Sequence, residues 1–298
     1  YMAIRRPQAV PTAASQVFAM DTGANSTPSF NAGFTIDSAL VGRVDSTDKW
    51  YFSSRLTGSN YLDTATTAAQ ASSPAFGGFD YQTQYYGGNL PSSYQAWMWK
   101  RARGYFDVVC YTGTGSARTV SHNLGVAPEM IWVKTRSTAV GWAVYHSSQG
   151  FSKGGRLETT DAFGTETNRV TAASSTTFSV GTDAYVNVSA RTYIAYLFAT
   201  VAGISKVGSV VHSGSSTDVD CGFSSGSKLV ILKRTDATGD WYIWDSVRGI
   251  VSGNDPYLLL NTNAAEVTNT DYIDPLSSGF QISGDFTDGT YIFYAIAT

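Results

Sequence analysis

Charged side chains are scarce in this sequence. Asp, Glu, Lys and Arg supply 14% of its residues, against about 25% in a typical soluble protein, so solubility must come from hydroxyls and amides. The formal net charge of −3 provides no basic field for phosphates, and no Lys/Arg stripe is interleaved with stacking aromatics, so nucleic acid is not an expected partner. The densest basic cluster, Lys100, Arg101 and Arg103, follows an aromatic run and reads as a solvated strand end. The two cysteines, Cys110 and Cys221, are too few for a disulfide framework or a metal set. Each reads as a small hydrophobe within a strand. No run of about 18 apolar residues and no signal peptide is present, so membrane insertion is not expected. The three histidines, His122, His146 and His212, do not stand at ligand spacing, and neither a metal nor a cofactor is expected.

What is abundant points to strands. Hydrophobic residues make up 43% and aromatics 13%, and Tyr, Thr, Val, Ser and Gly together favour strands joined by turns over a helix-rich enzyme. Short apolar runs are bounded by Gly, Ser, Asn and Asp at intervals near ten residues, the pattern of a sandwich or barrel. The only helical candidates are Ala65 to Ala71 and Asn263 to Val267, each good for a turn or two at most.

Three landmarks recur in one order with a period of about 95 to 100 residues. Each copy ends in a strand rich in large apolar residues: Tyr94 to Trp99, Tyr193 to Phe198, Tyr291 to Ile296. Mid-unit, an apolar strand, a polar turn and an aromatic strand follow one another. In the third copy these are Leu229 to Arg234 and Trp241 to Trp244, in the second Met130 to Lys134 and Trp142 to Tyr145, and in the first Ala39 to Arg43 and Trp50 to Phe52. The remaining landmark is Gly78-Phe79, Thr177 to Val180 and Gly279 to Ile282. The expected fold is therefore all-β, three tandem antiparallel β-sandwich units of about 95 to 100 residues. Their spans are 8–103 (divergent), 104–202 and 203–298, joined near Arg103-Gly104 and Gly203-Ile204 as a rod or a packed cluster. Tyr1 to Ile4 resembles the terminal strand of a preceding unit, which assigns 1–7 to that unit and predicts a fragment of a longer chain. Alternation in Thr119 to His122 and in the terminal strands predicts one face on a core and the other on solvent or a neighbour.

The second copy carries the most specific motif. Tyr111-Thr112-Gly113-Thr114-Gly115 is followed by His122-Asn123-Leu124-Gly125-Val126-Ala127-Pro128 and by Met130-Ile131-Trp132-Val133-Lys134. This resembles a β-rich repeat domain common in virion proteins of marine tailed phages, particularly cyanophages. The third copy keeps Val230 to Lys233 and Trp241 but has Gly222 to Gly226 in place of the His-x-Leu-Gly-x-x-Pro segment, and the first diverges further. The resemblance implies a non-enzymatic virion structural protein, a tail fibre or fibre-like appendage acting in host attachment. The partners it implies are other virion proteins and copies of the chain itself, with a homotrimer expected. It supplies no catalytic residues.

His122 is explained by turn chemistry, its imidazole bonding backbone and Pro128 directing the chain. A Ser-His-Asp triad lacks a Gly-x-Ser-x-Gly elbow. Asp236, Asp240 and Asp245 flank the aromatic hairpin of the third copy and offer a carboxylate pair for a glycan depolymerase, although Asp beside Gly and Thr is ordinary turn chemistry. Trp142, Tyr145, Trp241 and Trp244 are the candidate contacts to a host surface glycan, since exposed Trp and Tyr stack on sugars. Recurrence of Trp50, Trp142 and Trp241 at one place in the unit favours packing instead. The alternatives to a fibre are thus a carbohydrate-binding adhesin module, and a capsid or tail decorating protein or depolymerase.

Overall fold

Runs of β-branched and aromatic residues punctuated by glycine become strands throughout. The computed structural model describes residues 9–79 and 85–298, and the strand expected at Tyr1 to Ile4 lies outside them. The first third contains β1 (Phe18–Thr22), β2 (Phe30–Asn31), β3 (Ser38–Arg43), β4 (Tyr51–Ser54), β5 (Asn60–Leu62), β6 (Ala71–Ser72), β7 (Tyr85–Tyr86) and β8 (Tyr94–Trp99). The middle contains β9 (Phe106–Thr112), β10 (Arg118–Ser121), β11 (Met130–Thr135), β12 (Trp142–His146), β13 (Lys153–Gly154), β14 (Gly164–Thr165), β15 (Val170–Ala173), β16 (Thr177–Val180) and β17 (Thr192–Phe198). The last contains β18 (Ser205–His212), β19 (Thr217–Asp220), β20 (Ser227–Arg234), β21 (Trp241–Asp245), β22 (Leu258–Leu259), β23 (Ile273–Leu276), β24 (Gly279–Ile282) and β25 (Gly289–Ala297). Helix among the described residues is confined to short 3-10 turns at Ala14–Gln16, Arg55–Thr57 and Ser147–Gln149.

The protein is all-β, with antiparallel sheets. Its three larger sheets repeat one strand order: β1-β8-β3-β4-β5-β6, β9-β17-β11-β12 and β18-β25-β20-β21-β22. In each, the strand closing a stretch of chain inserts between the strand that opens it and the mid-stretch strand. Consecutive sheets are linked by tight turns. Tyr105 N–H donates to the Ala102 carbonyl (3.2 Å) and Ile204 N–H to that of Val201 (2.9 Å). Gly104 and Gly203 take the positive φ those turns need (76° and 71°), a conformation costly for a residue with a Cβ.

The central strands of the larger sheets alternate between two interiors. On β11, Ile131 and Val133 face a core shared with Val120, Phe178 and Val180 of the small sheet β10-β16-β15, while Met130 and Trp132 face the opposite way. On β8, Ala96 and Met98 pack with Phe30 and Tyr86 of β2 and β7, while Trp97 and Trp99 face away. The second set of faces meets in one cluster that includes Trp50, Phe52, Trp97, Trp132, Trp142, Tyr196, Phe198, Trp241 and Tyr294. Phe52 stacks on Tyr196 at 3.9 Å, Trp132 meets Trp241 edge-on at 6.1 Å, and Phe198 lies 5.0 Å from Tyr294. The second face of each larger sheet therefore meets a neighbour, and burial on both faces makes its central strands continuously apolar.

Two local expectations are corrected. Neither 65–71 nor 263–267 is helical, because their backbone groups bond to neighbouring sheets. The landmark Gly78-Phe79 lies in a loop, whereas its counterparts Thr177–Val180 and Gly279–Ile282 form β16 and β24, and the small sheet of the first third is β2 paired with β7.

Candidate functional site

The larger sheets are clasped in a cycle by bonds that fall at matching places. Trp142 Nε1 donates to the Asp63 carbonyl (3.0 Å), Trp241 Nε1 to that of Arg156 (2.8 Å), and Trp50 Nε1 to those of Thr262 (2.9 Å) and Leu259 (3.1 Å). The main chain repeats the pattern: Gln70 N–H donates to Arg136, Phe163 to Thr235 and Glu266 to Val44, each at 3.0 Å. The first stretch thus grips the second, the second the third, and the third the first. All seven tryptophans are buried.

This arrangement corrects the glycan-contact assignment. Trp142 and Trp244 are 0% exposed, Trp241 1% and Tyr145 6%, so none offers a ring face to a sugar. Trp142 and Trp241 fill the shared core. Tyr145 lies in the second sandwich core, stacked on Phe151 at 4.8 Å, and Trp244 stacks on Tyr242 at 5.2 Å. The depolymerase carboxylates are likewise engaged. Asp245 is fully buried, pairs with Arg248 Nε (2.7 Å) and accepts from Trp97 Nε1 (3.2 Å). Asp240 accepts from Asn261 Nδ2 (2.7 Å), and Asp236 pairs with Arg234 (2.7 Å). His122 bonds backbone on both sides of its ring, Nδ1 accepting from Leu124 N–H (3.2 Å) and Nε2 lying 3.2 Å from the Ser174 carbonyl. Burial lowers its pKa and favours the neutral ring that this pairing requires.

Two lysines were missed as interior residues. Lys134 and Lys233 stand opposite Trp142 and Trp241 in their hairpins and are fully buried. Lys134 Nζ donates to the carbonyls of Thr67 (2.9 Å) and Val140, and Lys233 Nζ to those of Thr160 (3.0 Å) and Gly239. Each ammonium therefore reaches from its own sheet to the preceding stretch. The signal was a lysine ending an otherwise apolar strand. The first sheet has Gly42 there, over which the Trp50 ring lies so closely that a Cβ would come within 2.6 Å of it.

Burial pushes both ammonium groups down from 10.5 to about 8, against the pull of Glu158 and Asp63 on Lys134 and of Asp240 and Asp161 on Lys233. Above pH 8 the folded chain has released protons that the unfolded chain still holds, so these lysines make stability rise with pH. From pH 8 to 9 the stability gap between wild type and the double variant Lys134→Met/Lys233→Met is expected to widen in favour of wild type. Urea denaturation at each pH checks this, and a constant gap would contradict it.

A surface cleft of about 320 Å³ lies where β18 and β19, each the outermost strand of its sheet, come together. Lys206 supplies an ammonium, Asp218 and Asp220 carboxylates, and Phe293 an apolar floor. Gly208 leaves room for that ring, since a Cβ there would come within 2.4 Å of it. Free strand edges, one cation, two anions and an aromatic floor suit a polar, neutral ligand or an extended chain.

A model of the family described as a domain of unknown function (DUF7483) matches residues 88–298. The chain belongs to this family. The DUF7483 span starts just before β8 and takes in the second and third larger sheets whole, including the Tyr-Thr-Gly and His-x-Leu-Gly turns, both lysines and the cleft. No curated protein matches the chain.

Proposed function

We propose that the chain is a non-enzymatic structural module of a phage virion, carried on a tail fibre or fibre-like appendage that takes part in host attachment. The cyclic clasp carries the reading. Tryptophans, buried lysines and main-chain bonds all act to lock three sheets into one body, which is what a rigid spacer or platform exposed to the medium requires. The motif resemblance from Gly104 to Lys134 supplies the virion context. Because the cycle closes within one chain, the homotrimer expected of a phage fibre would meet through outer faces and leave the shared core untouched. Immunogold labelling of intact particles with an antibody against this chain tests the proposal. Label on distal tail appendages supports it, label on the capsid or tail tube assigns a decorating role instead, and no label overturns the virion assignment.

A carbohydrate-binding role is favoured as a second reading by the cleft beside β18, and not by the buried tryptophans. Purified chain would then compete with phage adsorption, and Lys206→Ala with Asp218→Asn would remove the competition. Failure of the unaltered chain to bind host cells or compete would end this reading.

A further inference from the structure

Of the strands that open the larger sheets, β1 and β9 guard their free edge and β18 does not. On β1, Asp21 Oδ1 accepts from the outward Thr22 N–H (2.9 Å). On β9, Asp107 Oδ1 accepts from Val108 N–H (3.0 Å), and Arg118 Nη1 donates to the Thr112 carbonyl (3.0 Å). β18 holds the same edge place in the third sheet. Thr217 stands where β10 has Arg118, and its hydroxyl lies instead 2.9 Å from His212 Nδ1. The register of β18 to β25 is unbroken from Ser205 to His212, with no proline and Lys206 as the strand's one Lys, Arg, Asp or Glu. A bare edge of this kind is a template for a further strand. Val207 N–H turns away from β25, to Thr200 Oγ1 (3.1 Å). Backbone groups repeat every two residues along a strand, so Ser209 and Val211 turn theirs to the same side, where nothing bonds to them among the described residues. Both residues are exposed, and Val211, at 67%, is the most exposed large hydrophobic side chain described.

We propose that two copies of the chain associate through β18, running antiparallel about a two-fold axis at Val210. That register sets Ser209 of each copy against the partner's Val211, so that the outward N–H and C=O groups of both are exchanged on either side of the axis. Val210 meets the partner's Val210, and the exposed Val211 is covered. The two ends of the strand are complementary in charge. Lys206 comes opposite the partner's Gly214, and Gly214 N–H donates to Asp288 Oδ1 (2.7 Å), which places an ammonium beside a carboxylate at each end of the pair. This match is what selects a second copy over an unrelated strand, because the same edge supplies both halves of it. Thr200, already bonded at Val207, and the turn after His212 confine the pairing to the stretch between them. A contact of that size suits reversible association. It leaves the shared core closed and does not depend on the virion reading.

Analytical ultracentrifugation of the full chain between about 1 and 200 μM tests the proposal. The mass should rise with concentration from that of one chain toward that of two, and less steeply in high salt. Ser209→Pro removes an outward N–H and keeps the ladder to β25, so it should weaken association at least about tenfold with the circular dichroism of wild type. Lys206→Glu and Asp288→Lys, each alone, should lose self-association, because like charges then meet at both ends. Mixed in equal amounts they should associate with one another, since opposite charges face each other again. A wild-type chain that stays single throughout, or a three-chain mass, would overturn the proposal. Association undiminished in Ser209→Pro, or charge variants that associate alone as well as wild type does, would overturn it equally.

Discussion

Replacing Trp241 with alanine is expected to cost about 3 to 5 kcal/mol, the range for emptying a large aromatic site in a packed core. The side chain is 1% exposed, meets Trp132 of the second sheet edge-on, and donates to the Arg156 carbonyl. Its removal leaves a cavity at the meeting of two sheets and an acceptor short of its donor. Because the same cluster continues through Phe198 to Tyr294 and through Trp132 to Phe52, the loss is shared by all the sheets. Urea denaturation should show one transition with a lower midpoint and an unchanged slope. A second transition would mean that one sheet unfolds alone. Val211→Ala, at a site 67% exposed, should stay within about 0.5 kcal/mol of wild type.

Arg248→Met should be comparably damaging for an electrostatic reason. Asp245 has no exposure and depends on Arg248 Nε for its charge. Arg248 also donates to the Ile243 carbonyl (3.0 Å), reaches Glu266 (3.4 Å) and lies over Trp97 at 5.5 Å. Deleting one partner of a buried pair strands the other, at about 3 to 5 kcal/mol. Adding Asp245→Asn removes the stranded charge while keeping an oxygen for the N–H groups of Val247 and Arg248, which Oδ1 now accepts. The double variant should therefore be more stable than Arg248→Met alone, with a coupling of about 1 to 3 kcal/mol in a double-mutant cycle. Additive losses would show that the pair is not a unit.

Strand content and the recurrence of landmarks were legible because both are written locally, in apolar runs and the glycines between them. Leu229 to Arg234 and Trp241 to Trp244 fall on β20 and β21, as their pattern requires. The partner of each face was not legible. Met130 to Thr135 is buried at every position, and a strand buried on both sides loses the alternation that tells inside from outside. An aromatic strand can equally serve a sugar or a core until its neighbours are known, which is why Trp142 and Trp241 read two ways. The stretches at 65–71 and 263–267 read as turns of helix because their bonds go to other sheets, a long-range fact no local window contains.

The closed cycle is tested most directly by native-state hydrogen exchange, read by mass spectrometry at low denaturant. Strands β8, β17 and β25 each sit inside a different larger sheet, yet they should share one opening free energy equal to that of global unfolding, because none can open without breaking the common core. Opening energies stepped from sheet to sheet would contradict the account and make the three sheets separate modules joined in a row.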